Sequence, residues 1–157
     1  MDPTEAERLT IAGQLGFWAL AVEVERERVT DRSGGQFQNE LDARLLVLAI
    51  RNVIRAVGWA GKYEPAAVKR ALADFVVRVP NAVAVRDILE HFDEYEAGGG
   101  RRKVTGYGIF TVRYENEYLL RVSDDLALDV NSAANATTAL ADALQEVLIG
   151  RCERPAL

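Results

Sequence analysis

The sequence predicts a mainly α protein: a bundle of four to five helices with a small two- or three-stranded antiparallel β meander before the last helix. Three observations carry this. Apolar residues recur at helical spacing through the first hundred positions, as at Ile11, Leu15, Trp18 and Val22. After Gly106 the period drops to two, in GIFTVRYE, EYLLRV and LALDV. From Ser132 an alanine-rich helical pattern returns. At 157 residues, 49 % of them hydrophobic, the chain is the size of one domain and can bury a core. It is expected to be a single domain over 1–157, with a β insertion at about 107–130 and a tail at 151–157.

The first helix is expected from residue 5 to about 29, with Thr4 and Glu7 as a capping box and a charged, solvated end in EVERERV. DRSGGQ marks a loop. A second helix runs from near Phe37 to about Trp59. Its LLVLAI centre is apolar on every side, which predicts burial in the middle of the bundle. Arg44, Arg51 and Arg55 lie close to one face of it, either as a solvated or ion-paired stripe or as a local positive patch. Pro65 opens a third helix, whose stripe is Val68, Leu72, Phe75 and Val79, and Pro80 closes it. The fourth spans about 82 to 97. GGGRR then breaks the helical pattern, because glycine is entropically costly in a helix. This loop carries Arg101, Arg102 and Lys103 but lacks a P-loop frame, and it reads as a connector. In the meander, Phe110, Val112 and Tyr114 share one strand face, as do Tyr118, Leu120 and Val122 in the next strand and Leu126, Leu128 and Val130 in the third. Connections fall at Glu115–Asn116 and Asp124–Asp125. The last helix, about Ser132 to Ile149, turns Leu140, Leu144 and Val147 inward and stops at Gly150.

A formal net charge of −5 argues against nonspecific grip on nucleic acid, so any RNA contact must be local. The lone cysteine, Cys152, forms no internal disulfide, and no Cys/His cluster offers metal-like spacing. No cofactor fingerprint is present and none is expected. The acidic start MDPTEAER lacks signal-peptide character, and the apolar runs are too short to span a bilayer. A soluble cytoplasmic protein without membrane contact is the expectation.

The only histidine, His91, lies in VRDILEHFDEY. At 100° per residue, Arg86 and His91 flank the polar face of an amphipathic helix, with Asp87 between them. Asp87 and His91 are four apart, so a carboxylate could fix the imidazole tautomer. Arg86 has the forked donors that suit a phosphate, and His91 could move a proton. These parts suffice for metal-free RNA cleavage. The same residues also fit an ordinary solvated face with helical ion pairs, and the spacing alone leaves both readings open.

The pattern Arg86-Asp87-Ile88-Leu89-Glu90-His91, on a helix of a small bundle, resembles the R-x4-6-H motif of the HEPN superfamily, in which the residue after Arg is usually Asn, Asp or His. The motif is short, and agreement elsewhere is in helical layout over residues 5–97, while the meander departs from the minimal fold. The resemblance implies a metal-independent endoribonuclease, of the kind common in toxin–antitoxin, phage-defence and RNA-processing systems, with motif helices of two subunits facing each other across a homodimer cleft. It implies that Arg86 and His91 are catalytic and that Asp87 supports them. Arg101, Arg102, Lys103, Arg51 and Arg55 would help bind RNA phosphates. Glu90, Asp93, Glu94 and Glu96 would repel phosphate. An inactive HEPN-like bundle that binds a protein partner, such as an antitoxin or a defence effector, is therefore the alternative.

Overall fold

The computed structural model describes residues 3–31, 36–91, 110–114 and 117–150. Among the described residues, five helices and three strands follow in the order α1 (Pro3–Asp31), α2 (Gln36–Ala60), α3 (Pro65–Arg78), α4 (Ala82–Glu90), β1 (Phe110–Tyr114), β2 (Glu117–Ser123), β3 (Leu126–Asp129) and α5 (Val130–Gly150). α1 packs along α2 and α5, while α3 packs mainly on α5. The sheet, in order β1-β2-β3, rests on α2, α4 and α5. The expected mainly α bundle with a meander before the last helix is the observed architecture.

α1 buries Ile11, Leu15, Val22 and Val29 along one side. Gly16 lets α5 approach: a Cβ there would come within 2.6 Å of Gln145 Nε2, which donates to the Ala12 carbonyl at 2.7 Å. Two expectations for α1 need correction. Thr4 already lies inside the helix, and the Glu7 carboxylate accepts from Lys62 Nζ and from the Tyr63 hydroxyl instead of closing a capping box. The charged end is not wholly solvated either, because Glu25 and Val29 within it are buried and Glu25 feels the Asp42 charge on α2. α2 buries Leu46, Val47, Ile50, Val53 and Val57 but exposes Leu41, Leu48 and Trp59. It packs on all the other described helices and on β1, yet Leu48 in the LLVLAI centre is exposed, so it is not enclosed on every side.

α3 starts at Pro65, as the sequence predicts, and buries Val68 and Phe75. Val79 ends it, with its N–H bonded to the Phe75 carbonyl. α4 turns Ala82, Val85 and Ile88 into the core. The Asn81 side chain donates to the Ala127 carbonyl at 3.0 Å and ties the start of α4 to β3. The expected continuation of α4 to residue 97 lies outside the described residues beyond His91.

In the meander, Leu120 and Leu128 are cross-strand partners and both are buried. The register pairs Leu120 with Thr111 and Leu119 with Val112, so the two expected apolar runs are out of phase across β1 and β2. A bulge between Arg121 and Ser123 lets successive residues Val122 and Ser123 both be buried, since one extra residue breaks the alternation. Ser123 satisfies its hydroxyl on Asp125 at 2.8 Å. β3 passes into α5 without a loop. Asp129 Oδ1 accepts the Ser132 N–H at 2.6 Å, an N-cap contact that starts the helix at Val130, two residues earlier than expected. Leu148, rather than Val147, is the buried residue in the last turns of α5.

Candidate functional site

α4 presents the motif because its periodicity buries Val85 and Ile88 and leaves the intervening residues toward solvent. The side chains of Arg86 and Asp87 are 30 % and 50 % exposed, and His91 is exposed. Arg86 Nε donates to Asp87 Oδ1 at 3.0 Å, and a second guanidinium nitrogen engages the same oxygen. The carboxylate expected to serve His91 is thus held by its neighbour Arg86. The four-residue relation of Asp87 to His91 appears in the backbone, where His91 N–H donates to the Asp87 carbonyl at 3.2 Å. His91 sits at the C-cap of α4 with φ −117° and ψ 35°, so it stands one step past the last helical residue. An i,i+5 pair on one helix is also about 140° apart, which leaves Arg86 and His91 on separate flanks of α4.

The other sequence-selected cations divide. Arg51 is half-buried and Arg55 exposed on α2, which packs on α4. Arg44 is bound to Glu40 at 3.1 Å, a helical ion pair that answers the stripe question for that residue. Arg101, Arg102 and Lys103, together with Asp93, Glu94 and Glu96, lie outside the described residues. A groove of about 160 Å³ between α3 and α5 is lined by alanines, Phe75 and Leu140, with Asp74 and Arg78 at hand, and it contains none of the motif residues. Among the described residues no group of three or more His, Cys, Asp or Glu could hold a metal ion. No described helix is long and apolar enough to cross a membrane.

Two polar clusters were not apparent in the sequence. At one end of the bundle, Arg8 pairs with Glu64 at 2.8 Å, both largely buried, and the Arg8 guanidinium lies 5.6 Å from the Tyr63 ring centre. Beside them Glu7 accepts from Lys62 at 2.8 Å and from Tyr63. The Lys62 hydrogen bond, followed by that of Tyr63, holds the Glu7 carboxyl below its usual range. The hydrogen bond to Glu7 likewise raises the Lys62 ammonium. This cluster fastens the start of α1 to the α2–α3 link. Between α1 and α2, two further carboxylates are buried. Glu25 accepts from Arg28 at 2.9 Å but leaves its Oε2 without a hydrogen-bond partner, and Asp42 accepts from Gln38 at 2.7 Å. Burial raises the Glu25 carboxyl, Arg28 partly counters that, and Asp42 adds to the rise. Partners 55 or 56 residues apart, as in the first cluster, leave no trace in periodicity.

Compared with protein-family models, curated proteins and solved structures, the chain matches none. Fold and site together define the class: a helical bundle with a sheet insertion and a solvent-facing Arg-Asp pair on α4 with His91 at its C-cap.

Proposed function

We propose that this protein is a HEPN-like, metal-independent endoribonuclease acting as a cytoplasmic homodimer in a toxin or phage-defence system. The observation that carries the reading is the placement of Arg86, Asp87 and His91 along the solvent-accessible C-terminal half of α4 and its cap, over a base fixed by buried Val85 and Ile88. The ribose 2′-hydroxyl attacks the adjacent phosphate, His91 moves a proton to or from the attacking or leaving oxygen, and Arg86 offsets the charge building on phosphorus. Asp87 orients Arg86, since a guanidinium already held in plane loses less freedom on meeting a phosphate. The wide angle between Arg86 and His91 supports a site completed by a second copy.

A second reading has its own observation. The bond between Arg86 and Asp87 neutralises the cation the chemistry needs, which favours an inactive bundle that docks on an antitoxin or a defence effector. The test incubates the wild type, Arg86→Ala and His91→Ala with mixed RNA in EDTA, with circular dichroism confirming the fold. The enzyme reading expects cleavage by the wild type alone. Cleavage that survives both substitutions removes Arg86 and His91 as the site, and a wild type inert in EDTA leaves the docking module.

A further inference from the structure

α1 carries a second seam on the side away from its core contacts. Thr10, Gly13, Phe17, Leu20, Val24 and Glu27 are all exposed and follow one another at alternating steps of three and four, and Asp31 continues the series. That is the 3.5-residue period of a coiled-coil face. Its centre is apolar: Phe17 is 60 % exposed, Leu20 65 % and Val24 39 %. Gly13 strengthens the case. Glycine is disfavoured inside a helix, and a Cβ at Gly13 would meet nothing within 4 Å, so no close approach among the described residues calls for it. Gly16, three residues on, contrasts with it by making room for α5. A glycine on an open apolar seam admits the side chain of an approaching helix.

We propose that this seam is the contact surface for a second copy of the chain, with the two α1 helices antiparallel across a two-fold axis. Charge decides the orientation. A parallel, in-register pair would set Glu27 against Glu27 and Asp31 against Asp31. The antiparallel pair sets Phe17 of each copy beside Leu20 of the other and Val24 over Gly13. It also brings Glu27 to Thr10 and Asp31 to Ala6, so no position of the seam sets like charge against like. The seam from residue 10 to 31 is about 30 Å long, and two such faces bury on the order of 1,000 Å², near the lower edge of stable interfaces. The dimer is therefore expected to be concentration-dependent. The inference rests on α1 alone and not on the ribonuclease reading, whose residues sit on α4 against α2 and the sheet, so a site shared between two α4 helices would need a second interface distinct from this one.

The test is light scattering of the full chain across a dilution series without RNA, so that its outcome is separate from cleavage. The wild type is expected at twice the chain mass, falling toward one on dilution. Leu20→Glu, with an unchanged circular dichroism spectrum, is expected to weaken association more than about a hundredfold by placing charges in the seam. A wild type of single mass at every concentration, or a Leu20→Glu variant that still associates like the wild type, overturns the proposal. Disulfide trapping gives a measure that does not depend on destabilising anything. In a Cys152→Ser background, a mixture of Thr10→Cys and Glu27→Cys chains is expected to cross-link, and Glu27→Cys alone is not. Self-linking of Glu27→Cys without the mixed product overturns the antiparallel arrangement.

Discussion

Replacing Glu64 by Gln removes one charge from the pair that joins α1 to the α2–α3 link. Arg8 and Glu64 meet at 2.8 Å with side chains only 13 % and 8 % exposed. Loss of one member of a buried pair leaves the other charge uncompensated, which costs about 3–5 kcal/mol in fully buried cases. Two features reduce this. Arg8 retains the Tyr63 ring 5.6 Å away, and glutamine keeps an acceptor oxygen in place. The expected loss is about 2 kcal/mol, close to that of a charged hydrogen bond. For a chain of this length it lowers the melting temperature by about 4–8 °C. The buried Arg8 Nε, which has no hydrogen-bond partner, makes Arg8→Met the informative second variant. The double variant is expected to lose less than the sum of the single losses, since neither charge then remains buried alone. Urea denaturation of the four proteins, followed by circular dichroism, measures the cycle. Single variants within about 0.5 kcal/mol of the wild type, or strictly additive losses, would refute the reasoning.

Glu25→Gln is expected to stabilise the fold at neutral pH, because it removes a buried charge facing Asp42 while keeping an acceptor for Arg28. The sign follows from linkage. A carboxyl raised in the folded state binds its proton more tightly there than in the unfolded chain, so its cost is greatest at high pH and is relieved as pH falls through the raised value. Melting temperatures over a pH series should therefore rise less on mild acidification for Glu25→Gln than for the wild type, and parallel curves would contradict this. Asp129→Ala removes the acceptor for the Ser132 N–H and is expected to cost about 1 kcal/mol. Thermal denaturation should show a fall of about 2–4 °C, and an unchanged midpoint would show that the cap does not support α5.

The meander was legible because strand alternation and the polar turn at Asp124–Asp125 act locally, and β2 and β3 fall where the pattern ends. The bulge was not, since an extra residue in a strand changes register without changing composition. Thr4 and Glu7 have the spacing of a capping box, but the stronger demand on Glu7 comes from Lys62 and Tyr63, far away in sequence. α1 misled in another way. Its core stripe at Ile11, Leu15 and Val22 is buried, while the apolar residues Phe17, Leu20 and Val24 face outward on the same helix, and periodicity alone does not tell a core stripe from an exposed one. At the motif, sequence spacing located the residues on α4 but could not foresee that Asp87 turns to Arg86, because adjacent side chains are not neighbours on an ideal helix and meet only through long flexible arms.

The most direct test of the ribonuclease account is the chemistry of the cut. A DNA oligonucleotide carrying a single ribonucleotide would be incubated with the wild type and with His91→Ala in EDTA, beside an all-DNA control. The account predicts cleavage only by the wild type, only 3′ of the ribose, and with a 2′,3′-cyclic phosphate end, since the 2′-hydroxyl is the nucleophile. Cleavage of the all-DNA strand, or a cut by His91→Ala equal to that of the wild type, would contradict it.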